Sequence, residues 1–349
     1  MQRKQHGVTF VELLVALTLG LLLLGGIMQV YLGTKTTYQV SEGLSRLQEN
    51  TRFSIDMMAR DIRMAGYLPC SQPQTSKNVL NASSGDWWRP VFNGGIQGFE
   101  AGVSTFPDAI SDVADGNDAI LIRRAGKEVA AVNFLDTTSN QFIMQTDFGD
   151  QWNDHQGNLF VACDPNHAAL FQAGAVSTSG PTTKISIGAT SGSLSPGNSS
   201  MDLERAFGND AQIATYSPVI YYISESVSGD GNSLFREYTY VVTDNTIKTE
   251  REEMLQGVEN MQILYGLDED GDGVANRYVR ADIVQGANAW SDVVTVRVGL
   301  LFASEDGVRD IDDLDDNTYL VANTVIDPDD DRRKRYVSSM TVNVRNSNI

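Results

Sequence analysis

Residues 8–32 read VTFVELLVALTLGLLLLGGIMQVYL, and this stretch decides the architecture of the chain. As a helix rising about 1.5 Å per residue, a segment of this length crosses the hydrocarbon core of a bilayer, which is about 30 Å thick. The preceding residues 1–7, MQRKQHG, are basic. Because positive residues stay on the cytoplasmic side, the pattern predicts a cytoplasmic leader and a translocated remainder.

Glu12 is the one acidic or basic residue within 8–32. A carboxylate inside a membrane helix costs about 2.5–3.5 kcal/mol at mid-bilayer, so it normally has a partner or a task. In one interpretation Glu12 lies shallow and its side chain reaches the interface. In the other, cleavage after Gly7 exposes an ammonium group on Val8, and the Glu12 of an adjacent subunit neutralises that charge.

The helical pattern continues beyond the apolar segment. Between Thr34 and Tyr67 there is no proline, and apolar or small residues recur every three or four positions, which predicts an amphipathic helix. This stripe consists of Val40, Leu44, Leu47, Thr51, Ile55, Met58, Ile62 and Ala65. Leu68-Pro69 should end the helix, because a residue before proline disfavours helical backbone. We therefore divide the chain into a leader (1–7), a transmembrane helix (8–32), an amphipathic continuation (33–68) and a head (69–349).

Beyond Pro69 the sequence changes to short runs typical of strands, separated by Gly, Ser, Asn and Asp. Candidate strands are 119–124, 141–146, 158–162, 219–224, 236–242, 292–302 and 336–345. Alternation within the last three favours antiparallel sheets with one buried face. In 236–242, Tyr238, Tyr240 and Val242 alternate in this way with Glu237, Thr239 and Val241. The stretch 174–200 is rich in Gly, Ser and Thr and is predicted to be loop. The head is treated as one unit, and its division into two near residue 200 is the alternative. The predicted fold class is α+β: a long N-terminal helix packed on a β-rich antiparallel head of one or two sheets.

Charge and cysteine content narrow the function. Acidic residues outnumber basic ones, 45 against 26, for a net charge of −19. This balance argues against nucleic acid as a ligand and against docking on anionic lipid, since both need clustered Lys and Arg. Cys70 and Cys163 are the two cysteines. They should form one disulfide if the head is periplasmic and remain thiols in a reducing compartment.

The acidic segment DEDGDG at 268–273 is the candidate metal site. Asp268, Asp270 and Asp272 alternate before a glycine, which matches the first half of a D-x-D-x-D-G calcium loop. Position twelve is Val279 rather than Glu, so a further ligand would have to come from Asn276 or Asp282. The alternative is a solvated Asp/Gly turn. A second acidic tract, 305–331, is followed by RRKR and is predicted to be a solvated loop.

KQHG-VTFVELLVALTLGLLLLGG, residues 4–26, resembles the signal of type IV pilins and type II secretion pseudopilins. That resemblance implies cleavage between Gly7 and Val8 by a prepilin peptidase, methylation of the new N-terminus, and Glu12 as the buried glutamate of the family. Val8 departs from the usual Phe. Segments 52–70, 116–124, 258–278 and 332–346 resemble the PilW family of pilus assembly proteins, which are minor pilins.

The resemblance implies a pilus component that is not an enzyme and that primes assembly at the pilus tip, in processes such as twitching motility and cell adhesion. Implied partners are other minor pilins, the major pilin, the inner-membrane assembly platform and the prepilin peptidase. The implied location is the inner membrane of a Gram-negative bacterium, single-pass with a periplasmic head, and then the pilus. The sequence shows no G-x-S-x-G, P-loop or H-E-x-x-H motif. A type II secretion pseudopilin, or a membrane-anchored periplasmic binding module or enzyme, is the alternative.

Overall fold

The computed structural model describes residues 9–70, 73–81, 87–88, 94–107, 110, 112–145, 155–188, 194–242, 245–304 and 314–346. The helices are α1 (Phe10–Arg63) and α2 (Ala281–Ala287). The first strands are β1 (Thr75–Asn78), β2 (Ile96–Phe99), β3 (Ala119–Ile122), β4 (Ala125–Ala131), β5 (Phe134–Asp136), β6 (Gln141–Gln145), β7 (Leu159–Cys163), β8 (His167–Ser179), β9 (Thr182–Ile187) and β10 (Gln212–Tyr216). The remaining strands are β11 (Val219–Glu225), β12 (Asn232–Val241), β13 (Ile247–Gln256), β14 (Val258–Leu267), β15 (Arg277–Val279), β16 (Val293–Ala303), β17 (Tyr319–Val321), β18 (Thr324–Ile326) and β19 (Arg335–Asn343). The predicted α+β fold, a long helix on a β-rich antiparallel head, is confirmed.

Helix α1 ends five residues before the predicted stop at Leu68. The chain turns away at Gly66, whose φ of +72° is a left-handed conformation that favours glycine. The Gly66 N–H donates to the Arg123 carbonyl at 2.9 Å, so it leaves the helical ladder for the head. Part of the predicted stripe is buried here: Met58 and Ile62 are fully covered.

Most strands belong to three sheets. Eight strands form the largest, in the order β4-β10-β7-β8-β9-β6-β5 with β1 added parallel to β8. A five-stranded sheet has the order β13-β12-β11-β3-β2, and a four-stranded sheet has the order β15-β14-β16-β19. Strands β17 and β18 form a separate hairpin. The head therefore holds more sheets than the one or two predicted.

The five-stranded sheet separates two hydrophobic cores and contributes side chains to both. In β3, Ile120 and Ile122 face the core that also holds α1, whereas Leu121 faces the core that also holds β7. Successive side chains on a strand point to opposite faces, so an unbroken apolar run such as AILI is needed where both faces are covered. This double burial explains why the candidate strand at 119–124 shows no alternation.

Two further predictions, both about strands of the head, were wrong. Within 174–200, residues 174–179 and 182–187 are strand rather than loop, because β8 and β9 form a hairpin that turns at Gly180, whose φ is +58°. Residues 189–193 lie outside the described residues. In β12 the alternation is the reverse of the expected one: Glu237 is buried and Tyr240 is exposed. The Glu237 carboxylate is accommodated because it accepts hydrogen bonds from Trp87 and Tyr222.

The subdivision near residue 200 stays a prediction. Strand β10, which follows that position, pairs with β4 and β7, which precede it.

Candidate functional site: the N-terminal helix and its junction with the head

The first half of α1 is an exposed apolar surface. Of the helices in the described residues, α1 alone is long and apolar enough to cross a membrane, over Phe10–Lys35. Its large side chains are uncovered, with Phe10 75% and Leu22 73% exposed. Burying one such side chain is worth about 1.5–3 kcal/mol, so this surface favours a bilayer or other helices over water.

Glu12 lies in the first turn of α1 and closes a capping box with Thr9. The Thr9 backbone N–H and hydroxyl both donate to Glu12 Oε2 at 3.0 Å, and the Glu12 N–H donates to Thr9 Oγ1 at 3.3 Å. This arrangement satisfies donors that a helix N-terminus otherwise leaves open, and it places a negative charge at the positive end of the helix dipole. Gly7 and Val8, the predicted cleavage and methylation positions, lie outside the described residues.

A carboxylate has about four lone-pair sites, so Glu12 can accept from a further donor while it caps its own helix. An ammonium group on a neighbouring helix is one such donor. The predicted pairing of Glu12 with an N-terminal amine therefore remains chemically open beside the capping role, which sequence reasoning missed. The signal for the cap was in the sequence as T-x-x-E at 9–12.

The other end of α1 is fixed to the head by Asp61, a buried carboxylate that the sequence did not single out. The Tyr221 hydroxyl donates to Asp61 Oδ2 at 2.7 Å, and Arg124 Nη2 donates to Asp61 Oδ1 at 3.0 Å. A second guanidinium, that of Arg236, lies 4.0 Å from Oδ2. Burial, and then the Asp61 charge, raise the pKa of the Tyr221 hydroxyl, which therefore stays a donor.

A disulfide reinforces this junction. Cys70, just beyond the helix, is bonded to Cys163 at the end of β7, with 5.9 Å between their Cα atoms. The pairing predicted from the sequence is thus present in the structure. Cys163 is fully buried, so the bond ties the end of α1 into the interior of the eight-stranded sheet.

The C-terminal segment adds a third tie. The Arg345 N–H donates to the Arg63 carbonyl at 3.3 Å, and Asn346 Nδ2 donates to the Ala65 carbonyl at 3.2 Å. Backbone carbonyls at the C-terminus of a helix lack intrahelical partners, and Arg345 supplies one for the last residue of α1, while Asn346 holds the turn just beyond it. The two ends of the head sequence therefore meet at the end of α1.

The acidic loop 268–273 gathers three of the five proposed calcium ligands. One oxygen from each of Asp268, Asp270 and Asp272 lies within 4.8 Å of the others. The Asp268 carboxylate also accepts from the backbone N–H groups of Gly271 and Gly273, at 2.7 and 2.8 Å. These bonds, with that from Gly273 the largest cause, lower the pKa of Asp268 and keep it ionised.

The other two proposed ligands each accept a hydrogen bond from another group of the protein. Asn276 Oδ1 accepts from the Glu269 N–H at 2.6 Å, and Asp282 Oδ2 accepts from Arg280 Nη2 at 2.8 Å in the first turn of α2. Calcium takes six to eight oxygen ligands, and three carboxylates supply part of that shell. The loop fits the opening half of a calcium site, and calcium binding stays a prediction.

The second acidic tract and the basic run after it were predicted to be solvated, and for the basic run this was wrong. Residues 305–313 of the tract lie outside the described residues. The side chain of Arg335 is 1% exposed and donates to carboxylates of Glu259, Asp315 and Asp331. Arg333 donates to Asp230 at 2.9 Å. A buried guanidinium requires such partners, and Arg335 is therefore the centre of an ion-pair network.

Comparison with known proteins gives two matches to protein families. Residues 2–28 match the model of the prokaryotic N-terminal methylation motif, which spans Gly7, Val8 and Glu12. Residues 220–346 match the model of the type IV pilus-assembly protein W, PilW, from β11 to the end of β19. The matched region includes two of the four segments from which the PilW resemblance was read, 258–278 and 332–346.

No curated protein and no solved structure matches the chain. All strands of the eight-stranded sheet lie outside both matched regions. The two matches lie at opposite ends of the chain and agree with the exposed apolar helix that precedes the head. Together they support assignment of the chain to the type IV pilus minor pilins of the PilW family.

Proposed function

We propose that this pilin takes part in type IV pilus assembly as a minor subunit that primes assembly at the pilus tip. A prepilin peptidase cleaves between Gly7 and Val8 and methylates Val8. The apolar half of α1 then anchors the chain in the inner membrane of a Gram-negative bacterium with the head in the periplasm. From there the helix bundles with those of other minor pilins and the major pilin on the assembly platform. Pilins of this family are generally not enzymes, and the proposed role is structural.

The observation that carries the proposal is the coincidence of a methylation motif with an uncovered apolar helix. A helix whose apolar side chains are exposed over Phe10–Lys35 is stable only in lipid or among similar helices. Membrane helices associate through close packing and polar contacts, and Glu12 offers the polar contact. Transfer from bilayer to bundle keeps the apolar side chains covered throughout.

Substitutions at Glu12 and Thr9 separate the pairing role from the capping role. Glu12→Gln keeps a capping-box residue and removes the charge, whereas Thr9→Ala removes the cap and keeps the charge. If Glu12 neutralises an amine, Glu12→Gln and Glu12→Ala should both abolish recovery of the chain in sheared pili, and Thr9→Ala should be mild. The pairing role would be rejected if the Glu12→Gln chain were recovered in sheared pili at the wild-type level while the Thr9→Ala chain was absent from them.

Processing is tested by intact mass of the mature chain. The proposal expects loss of residues 1–7 and gain of one methyl group, and Gly7→Ala should leave the leader in place. A native N-terminus at Met1 would refute the processing step. Recovery of the processed chain with the type II secretion apparatus, and not with pili, would assign it to the pseudopilins instead.

A further inference from the structure

The hairpin formed by β17 and β18 has apolar side chains on both faces, although the described head covers one. Its strands read Tyr-Leu-Val at 319–321 and Thr-Val-Ile at 324–326. Antiparallel strands with one solvated face normally place polar residues on it, and apolar residues on both faces are typical of strands covered on both sides. We propose that the outer face of this hairpin is the docking surface for a different pilin subunit.

The inner face is packed on the four-stranded sheet. Val321 is fully buried, and Gly299 of β16 lies under it: a Cβ on Gly299 would come within 2.9 Å of Val321 Cγ1. The missing side chain at Gly299 lets the hairpin approach β16 closely. Ala322 and Asn323 form the tight turn with φ of +43° and +73°, as in two-residue hairpins whose twist matches the strands.

The base of the hairpin is also fixed. The Asp315 N–H donates to the Asp331 carbonyl at 2.7 Å, closing the segment that carries both strands. Arg335 Nη1 donates to Asp315 at 3.1 Å and to Asp331 at 2.8 Å, and the Tyr319 hydroxyl donates to Asp315 at 2.8 Å. A rigid element loses little conformational freedom on binding, so this arrangement favours recognition.

The outer face carries Leu320 and Val325, directly opposite each other in the ladder. They are 63% and 66% exposed. The residues that flank the two strands in sequence include four exposed aspartates, Asp316, Asp327, Asp329 and Asp330. An apolar centre with a charged rim is the usual composition of a protein interface.

The charge of the rim identifies the kind of partner. A second copy of this chain would bring another acidic rim and a net charge of −19, and like charges across an interface disfavour association. A partner with an apolar patch bordered by Lys or Arg complements both features. Because the chain is proposed to act among pilins, the partner is another pilin subunit; this identification rests on the proposed function.

Photo-crosslinking in piliated cells tests the surface with the full chain. Leu320→p-benzoylphenylalanine and Val325→p-benzoylphenylalanine should form adducts with a protein that carries its own N-terminal methylation motif, at a peptide containing Lys or Arg. The control is Val227→p-benzoylphenylalanine, since Val227 is 80% exposed in the turn after β11 and should form no such adduct. Leu320→Asp should reduce the adduct from position 325 about tenfold or more.

Three results would overturn the proposal: adducts only with copies of this chain, adducts only with proteins that lack the motif, or yields no higher than at Val227. Circular dichroism and protease resistance of Leu320→Asp establish that the head is folded, as expected for an exposed position. If Leu320→Asp is recovered in sheared pili while no adducts form, this docking surface is refuted and the pilus role stands. Absence of the wild-type chain from sheared pili would refute the pilus role itself.

Discussion

Loss of the Asp61 carboxylate should detach α1 from the head more effectively than loss of any exposed charge on the same helix. Asp61 is 7% exposed and holds the hydroxyl of Tyr221 and the guanidinium of Arg124, both largely buried. Removing one partner of a buried ion pair leaves the other charge uncompensated, which costs about 3–5 kcal/mol. Solvent screens this ion pair only weakly, because the side chain of Arg124 is 11% exposed, so the expected cost is not reduced much.

The two substitutions at Asp61 should differ in size. Asp61→Ala removes both acceptors, and we expect the full loss of about 3–5 kcal/mol in the free energy of unfolding. Asp61→Asn keeps an acceptor for Tyr221 and loses the charge that faces Arg124. Its expected cost is about 1.5–3 kcal/mol, the value of a hydrogen bond to a charged group.

Urea unfolding of the full chain in detergent, followed by tryptophan fluorescence, measures these losses. Amide hydrogen exchange over 54–65 then locates them, because a detached helix end loses protection there before the sheets do. Asp56→Asn and Asp56→Ala are the matched controls, since Asp56 is exposed on the same helix. Equal destabilisation by Asp61→Ala and Asp56→Ala would refute the reasoning that Asp61 fixes the helix to the head.

Three further predictions concern the head. Replacing Cys70 and Cys163 by Ser opens a loop of 93 residues and should lower the free energy of unfolding by about 4–5 kcal/mol on the chain-entropy model, measured in urea; no change would reject the stabilising role. Calcium at millimolar concentration should bind the loop in calorimetry, and Asp270→Asn should weaken binding where substitution of an exposed aspartate elsewhere does not; absence of heat with the native chain would remove the calcium hypothesis. Burial, and then Glu100, raise the pKa of Asp118 to about 7, so the folded state holds that proton more tightly than the unfolded chain. Stability should therefore fall as pH rises from about 4 through about 7, and Asp118→Asn should flatten that part of the profile; an unchanged slope would contradict it.

The long N-terminal helix was predictable because it depends on local sequence pattern. An apolar run of membrane length, a basic leader and a helical stripe are read directly from consecutive residues. The end of α1 was misplaced because it depends on Gly66, whose N–H bonds to Arg123 far along the chain. Hairpin β8–β9 was missed because its Ser and Thr residues are typical of both loops and half-buried strands.

The polar part of the site was less predictable because a charge is buried only where distant groups converge on it. Asp61 lies among the residues of the helical stripe, and no neighbouring residue in the sequence indicates that Tyr221 and Arg124 will contact it. Glu237 was expected on a solvated face, yet it is buried because Trp87 and Tyr222 donate to it. Periodicity assigns each residue a face, and the tertiary partners then decide which face tolerates a carboxylate.

The junction of α1 with the head depends on three independent kinds of bond at one place. The ion pair of Asp61 holds the last turns of the helix, the disulfide of Cys70 holds the chain just beyond it, and Asn346 holds the carbonyl of Ala65. In the proposed assembly, a subunit drawn out of the membrane by its helix must carry its head with it. Because the ion pair and hydrogen bonds exchange readily while the disulfide does not, loss of Asp61 should loosen the helix end without separating the chain from the head. Asp61→Ala subunits should therefore enter pili with the head still attached through the disulfide but with the end of α1 loosened from it. Hydrogen exchange on sheared pili should then show faster exchange over 54–65 and no change in β7.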